Sequence, residues 1–338
     1  MFAMSDTGTT HKKTILVTGA NGFVGARLSK VLLKRGYAVR ALARKTSDLT
    51  RLEDMAVDLV YGELSDFPSL KEAASAVDVV IHSAGVIKAP SLHRYMEANK
   101  QGTRNLLEAV QEASPDLQRF VYISSLAAGG PGPTDRPVTE DDPPRPVSPY
   151  GASKLAGEKE ALSFADRLPV SVVRPPAVYG PGDTQVLGFF RTVCWHLKPY
   201  FGPPTAQVRL VYVDDLVEGL ILAIEHQQAV GEVFYIAEDK SHTWLELENI
   251  IAREAEVWAV PVRIPRWFVR SVATVAEWIY KPAGKTPALN RHKAEDFLQQ
   301  NWTCSVAKAE RMLGYRCRFP FAKGAAMTIS AYREKGWL

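Results

Sequence analysis

Tyr150 and Lys154 stand four residues apart in Ser148-Pro149-Tyr150-Gly151-Ala152-Ser153-Lys154, which puts both side chains on one face of a helix. A free phenol titrates near about 10. An ammonium beside it favours the phenolate and brings the phenol toward useful acid–base strength. Such a pair also occurs as an ordinary helix-surface pair, so its meaning depends on what precedes it. Upstream, Gly19, Gly22 and Gly25 follow the apolar run Ile15–Val17 and precede Val24, Leu28, Val31 and Leu32, which have helical spacing. Strand, glycine turn and helix are the setting of a dinucleotide site. There the first glycine makes the turn, the second lets backbone approach a pyrophosphate, and the third lets the helix pack close. The helix N-terminus presents open N–H groups to the phosphates. Gly19, Asn21, Gly22, Phe23, Val24 and Gly25 are therefore the predicted cofactor turn, in the spacing Gly-x-x-Gly-x-x-Gly.

These residues need a scaffold, and the chain alternates strands and helices to supply one. Residues 38–44 read as a second strand ending in Ala43-Arg44-Lys45, with no acid before Asp48. A carboxylate there favours NAD and an arginine accommodates the 2′-phosphate of NADP, so Arg44 points to NADP, with NAD as the alternative. Arg44 in a merely solvated loop is the competing reading. Residues 58–62 read as a third strand, 69–76 as a short helix, and 77–82 as a fourth strand. That strand ends in Ser83-Ala84-Gly85, small residues against which a flat cofactor can lie. Residues 92–113 read as a helix and 119–123 as a fifth strand running into Ser124-Ser125. A proline- and glycine-rich loop, 129–149, leads to the helix of Tyr150, which runs to about Ala165. Val170–Pro175 reads as a sixth strand. This order predicts an α/β fold with a doubly wound parallel Rossmann sheet. Such sheets bind ligands beyond the C-terminal strand ends, where Arg44, His82, Ser124 and Ser125 fall.

The bulk properties exclude other classes. A chain of 338 residues suggests one large domain or two. A net charge of +4 of mixed sign, with no basic run, argues against nucleic acid. Cys194, Cys304 and Cys317 are scattered and lack metal spacing, so no metal site is expected and a reduced, cytoplasmic protein is the simplest reading. Residues 1–12 read as a loose polar tail without a signal peptide's apolar stretch. No apolar run is long enough to span a bilayer.

Over roughly residues 12–338 the sequence resembles the extended short-chain dehydrogenase/reductase family. The resemblance rests on Thr18-Gly19-x-x-Gly22-x-x-Gly25, Asn99-x-x-Gly102-Thr103-x-Asn105-Leu106-Leu107, Ser124-Ser125, Tyr150-x-x-x-Lys154, Arg174-Pro175-Pro176-Ala177-Val178-Tyr179-Gly180-Pro181-Gly182 and Val213-Asp214-Asp215. It implies a Rossmann domain over 13–182, to which 205–237 partly returns. A smaller, discontinuous C-terminal substrate-binding domain would comprise 183–204 and 238–338. It further implies Tyr150 as general acid/base, Lys154 holding the nicotinamide ribose and tuning Tyr150, and Ser125 bonding the substrate oxygen. Pro175 and Val178 would border the nicotinamide. After the third strand such proteins carry Gly-Asp-Leu-x-Asp, whereas this chain has Gly62-Glu63-Leu64-Ser65-Asp66. Glu63 and Leu64 are thus the expected adenine contacts, with a longer acid than usual. Homodimers paired through the helices containing Gly102–Ala113 and Lys154–Ala165 are common among relatives. Asp214 and Asp215 read as structural, one of them capping the helix that follows.

Within that family, sugar-nucleotide epimerases and dehydratases carry an Arg-Asp pair where this chain has Val208 and Arg209. The chain looks closer to the dihydroflavonol 4-reductase and 3β-hydroxysteroid dehydrogenase branch, whose substrates are apolar. The aromatics Phe189, Phe190, Trp195, Tyr200 and Phe201 fit an apolar pocket or core. Residues 265–280 read as an amphipathic helix flanked by Arg263, Arg266, Arg270 and Lys281. It can be a lid on the substrate lobe, which is preferred, a helix on a membrane surface, or a dimer contact. Residues 284–304 and 305–338 read as closing helices, with Gly314 as a helix stop. The expected activity is hydride transfer between NADP and the ketone or secondary alcohol of an apolar small molecule. The alternatives are a sugar-nucleotide epimerase or dehydratase that keeps its NAD, and a non-catalytic nucleotide-sensing protein.

Overall fold

The computed structural model describes residues 12–133, 135–201, 203–280 and 299–338. Residues 1–11 of the expected tail and the start of the expected closing helices, up to 298, lie outside the described residues. Seven strands form one sheet: β1 (Thr14–Thr18), β2 (Ala38–Ala43), β3 (Asp58–Tyr61), β4 (Val79–His82), β5 (Arg119–Ile123), β6 (Val170–Arg174) and a last strand, Val233–Tyr235. Their spatial order is Val233–Tyr235, β6, β5, β4, β1, β2, β3, and every pairing is parallel. The chain winds outward from β1 to β3, then returns to β4 and winds the other way. The crevice between β1 and β4 is therefore the point where such sheets bind ligands.

β1 is apolar without alternation because both faces are covered. Ile15 and Val17 pack with Leu28 and Leu32 of α1 (Phe23–Lys34) and with Leu216 and Leu220 of the helix Val213–Glu225. Leu16 packs on the other face with Leu70 of α2 (Phe67–Ala74) and with Leu106 and Val110 further along the chain. Each fully buried leucine contributes about 2 kcal/mol.

The expected helix 92–113 is present and continuous, and it widens in its middle. It consists of α3 (Leu92–Met96), a π-helical turn Glu97–Gln101, and α4 (Gly102–Ala113). Such widened turns concentrate at functional sites. After β5 come a one-turn helix, α5 (Leu126–Gly129), and then α6 (Pro149–Leu162), which carries Tyr150 and Lys154. A third core cluster joins Tyr179, Phe190 of α7 (Leu187–Cys194), Leu247 and Ile251 of α8 (Trp244–Glu254), and Phe321 and Ile329 of the closing helix Phe321–Glu334. A small parallel pair, Leu197–Phe201 with Val260–Ile264, leads into α9 (Arg266–Tyr280). Within the segment expected to be helical up to 304, Asn301–Trp302 is a short strand paired with Gln207–Val208. The helix Ala307–Leu313 stops at Gly314, which is left-handed at φ 65° as expected of a C-cap.

Candidate active site

Every residue predicted for the cofactor or for catalysis lines one cleft of about 1760 Å³ at the C-terminal strand ends. The glycine turn is built as its spacing demanded. Gly19 is left-handed at φ 66°, and a Cβ there would lie 2.8 Å from the Ala84 amide nitrogen. A Cβ on Gly25 would lie 2.2 Å from the Gly19 carbonyl oxygen, so α1 can approach β1 only because that atom is missing. Gly22 caps α1 without any side-chain bond, which leaves the first-turn amides without a side-chain acceptor. Asn21 donates to the Asp48 carbonyl (3.2 Å) and fixes the loop after β2.

Arg44 projects from the end of β2 and is exposed at the rim. Two neighbours that the sequence reading did not single out stand there too. Ser47 accepts from the Arg44 amide (3.2 Å), and Arg51 donates to the Gly182 carbonyl (2.8 Å). Glu63 and Leu64 line the wall beyond β3. The Glu63 amide donates to Ser69 Oγ (3.3 Å), and the Leu64 carbonyl accepts from Asn105 (2.7 Å).

At the base of the cleft a chain of buried polar groups runs from β1 to α6. Thr103 Oγ1 donates to the Asn99 carbonyl (2.7 Å), so its oxygen receives the proton on His82 Nε2 (3.0 Å). His82 Nδ1 then accepts from Thr18 (2.7 Å), whose oxygen accepts the Ala84 amide (3.1 Å). Burial, and after it the charge of Lys154, pushes His82 down to about 3. The ring is neutral, and this network selects its tautomer. In the π turn, Asn99 accepts from the Val86 amide (2.8 Å) and donates to the Val86 carbonyl (3.0 Å) and Ser153 Oγ (2.9 Å). Ser153 in turn donates to the Tyr150 carbonyl (2.8 Å). Ser83, Ala84 and Gly85 are thus held between β1 and the π turn.

Ser148 caps α6 by accepting the Gly151 amide (3.2 Å). Lys154 is 5% exposed, and its Nζ lies 4.3 Å from the centre of the Tyr122 ring. Burial pushes its ammonium down to about 7, with Glu158 opposing. Glu158, one turn on, makes a buried two-bond pair with Arg174 of β6 (2.5 and 2.9 Å), and Arg174 also donates to the Tyr235 hydroxyl (3.0 Å). This pair locks α6 to the sheet. Ser125 Oγ accepts from the Ala127 amide (3.1 Å), which leaves its hydroxyl proton to donate to a ligand oxygen. Backbone bonds from Ser124 to Val173 and from Leu126 to Pro175 (both 2.7 Å) hold Ser125 beside Pro175. Val178 follows in the strand Ala177–Tyr179, also on the cleft.

The opposite wall is apolar: Phe189, Trp244, Phe268, Val269, Val272 and Trp302 line it. Of the aromatics expected there, Phe189 lines the cleft, Phe190 is buried, and Trp195 is exposed. Helix α9 contributes Phe268, Val269 and Val272 to this wall. Asp214 and Asp215 do not cap their helix, contrary to expectation. Asp214 pairs with Arg27 of α1, and Asp215 accepts the Arg318 and Phe319 amides (2.9 and 3.0 Å). Tyr212, not an aspartate, stands at the N-cap, so both acids fall within the first turn.

Among the described residues no group of three or more His, Cys, Asp or Glu could hold a metal, and no helix is long and apolar enough to cross a membrane. The sequence pattern of the NAD dependent epimerase/dehydratase family matches residues 15–237. The chain is 30% identical to a ceramide reductase of Caulobacter vibrioides over 98% of both chains. It is 27% identical to a 3-beta-hydroxysteroid dehydrogenase of Mycolicibacterium neoaurum over 95% of this chain and 91% of that one. The solved structure of MoeE5 in complex with UDP-glucuronic acid and NAD is 25% identical, with a TM-score of 0.75 over 95% of this chain and 99% of that one.

Proposed function

The chain belongs to the NAD dependent epimerase/dehydratase family, and from that premise we propose that it is an NADP-preferring oxidoreductase of apolar ketones and secondary alcohols. The observation that carries this reading is the position of Tyr150 and Lys154, in one cleft between the glycine turn and an apolar wall. Residues 13–182 hold the cofactor in this reading, with 183–204 and 238–338 supplying the substrate side. The fit to a dinucleotide rests on the missing Cβ atoms of Gly19 and Gly25 and on the uncapped start of α1. The turn 19–25 takes the pyrophosphate, Arg44 with Ser47 and Arg51 the 2′-phosphate, Glu63 and Leu64 the adenine, and Ser83–Gly85, Pro175 and Val178 the nicotinamide side. A bound nicotinamide supplies hydride for the carbonyl carbon. Tyr150 gives its phenolic proton to the carbonyl oxygen, which Ser125 holds as a single oxyanion donor. Lys154, as a cation, stabilises the phenolate left on Tyr150. Two relatives named for apolar molecules, the ceramide reductase and the steroid dehydrogenase, support an apolar substrate.

A second reading has its own support. Arg209 lines the cleft, and the MoeE5 structure holds a nucleotide sugar with NAD. A sugar-nucleotide epimerase would keep NAD through purification. The deciding experiment is a fluorescence titration with NADPH and NADH after an absorbance check for carried-over nucleotide, followed by NADPH oxidation with apolar ketones. Preferential NADPH binding to empty protein and ketone-dependent oxidation are expected. Retained NAD, with no consumption of added NADPH, would replace the reading by the epimerase one.

A further inference from the structure

Four tryptophans stand largely in solvent: Trp195 (69% exposed), Trp258 (68%), Trp267 (67%) and Trp278 (78%). They lie on consecutive pieces of one region. Trp195 precedes the strand Leu197–Phe201, and Trp258 precedes its partner Val260–Ile264, with Leu197 opposite Val260. The His196 ring stacks on Trp258 at 4.3 Å. The second strand runs through Pro265 into α9, which carries Trp267 and Trp278. Leu197, Val260, Val262 and Val275 are exposed on the same elements. Exposed tryptophans and aliphatics gathered on adjoining elements are the pattern of a contact surface.

Helix α9 presents two different faces. Val269 and Ala273 are buried on its inner face. Phe268 and Val272 line the cleft and are still 48% and 41% exposed, so they stand at its mouth. Trp267 and Trp278 are absent from the lining of the cleft and face solvent. From Trp258 to Tyr280 the chain carries three arginines, Arg263, Arg266 and Arg270, against one acid, Glu277. Arg263 and Arg266 also border a separate cavity of about 260 Å³ with Pro203, Ile264, Pro265 and Gln300, at the start of α9. Exposed tryptophans and arginines on the same elements are the chemistry of a membrane–water interface. There the indoles sit at headgroup level and the cations meet lipid phosphates.

We propose that this face docks on an anionic phospholipid bilayer and that the cleft takes a lipid ketone from it through the mouth between Phe268 and Val272. The substrate half of this statement rests on the reductase reading above. A second copy of the chain is the competing occupant. Two-fold pairing through this face would bring its arginines toward one another, whereas an anionic surface answers them.

The test floats the full-length protein with phosphatidylcholine vesicles, with and without phosphatidylglycerol. Binding is expected with phosphatidylglycerol and should fall as salt rises. The double variant Trp267→Asp, Trp278→Asp should lose at least about tenfold of the bound fraction. It should retain NADPH binding and turnover of a short water-soluble ketone, because neither side chain lines the cleft. Arg263→Ala with Arg266→Ala should remove the phosphatidylglycerol dependence. Wild-type protein that stays in the soluble fraction, undiminished flotation of the tryptophan variant, or a dimer that the tryptophan variant dissolves would each overturn the docking. Absence of turnover of the soluble ketone by wild-type protein would instead overturn the reductase reading, leaving flotation to decide the surface by itself.

Discussion

The two ends of the cleft are built by different physics. At the glycine-turn end, atoms are held by buried hydrogen bonds that run from Thr18 through His82, Thr103 and Asn99 to Ser153 and the Tyr150 carbonyl. The Glu158–Arg174 pair backs them. At the other end, among the described residues, α9 rests on a small core of Val269 and Ala273, with Ile264 packed against them. Hydrogen bonds are directional and fix positions to a fraction of an ångström, while apolar contact is non-directional and tolerates changes of shape. In the proposed reading the acid–base chemistry is therefore tied to the sheet, and the choice of substrate is left to a wall that can be remodelled without disturbing it.

The largest expected effect is at the rigid end. Tyr150→Phe should lower ketone turnover by about 10²–10⁴-fold and leave NADPH affinity, read by fluorescence titration, unchanged. Undiminished turnover would remove the chemistry from this end altogether. Gly25→Ala comes next. Its Cβ would sit 2.2 Å from the Gly19 carbonyl oxygen, so α1 must move off the turn. NADPH affinity should fall on the order of tenfold or more, since the amides that meet the pyrophosphate move with the helix.

Lys154 gives this end a pH signature. Its ammonium is pushed down to about 7 by burial. Below that pH it is charged and supports the Tyr150 phenolate; above it the support is lost. In the reductive direction kcat/KM should therefore fall as pH rises through about 7, and Lys154→Arg should move that limb upward. A profile flat through this range in the wild-type enzyme would separate Lys154 from the acid–base step.

What could be read in the sequence divides along the same line. The glycine turn and the Tyr150–Lys154 pair were legible because backbone geometry and helical spacing dictate residue type locally. The network behind them was not. Thr18 and His82 are 64 residues apart, and Asn99 and Ser153 are 54 apart, so only folding brings them together. Asn99 was visible as part of a family motif. Its hold on Val86 depends on a π turn, which helix propensity cannot distinguish from a regular α-helix. Glu158 and Arg174 are likewise ordinary residues until β6 meets α6. On the apolar side, Phe189, Trp244, Phe268 and Trp302 have no spacing that separates a cleft wall from a core, and the short strand at Asn301–Trp302 was hidden in a stretch that reads as helix.

Buried carboxylates sharpen the contrast. Glu158 has its arginine. Glu248 of α8 is fully buried, and its oxygens have no hydrogen-bond partner among the described residues. Burial pushes Glu248 up to about 8, with Lys198 opposing. The unfolded chain releases this proton near about 4.3. Between those values the folded protein binds the extra proton, so its stability falls as pH rises through that window. Glu248→Gln should leave Tm nearly unchanged at the acid end and raise it increasingly toward pH 8. An equal change in Tm at both ends would mean that the carboxyl is not protonated in the fold.

The smallest effect completes the matched pair with Gly25. Gly188 lies in α7 and also borders the cleft, yet an added Cβ there meets nothing within 4 Å. Gly188→Ala should stabilise the protein by up to about 1 kcal/mol through helix propensity alone, seen as a small rise in Tm, with NADPH affinity unchanged. The same methyl group on the same cleft would then cost cofactor binding at one end and add stability at the other. If Gly188→Ala weakened NADPH as Gly25→Ala does, the apolar end would be coupled to the cofactor. The division between fixed chemistry and an adjustable substrate wall would not hold.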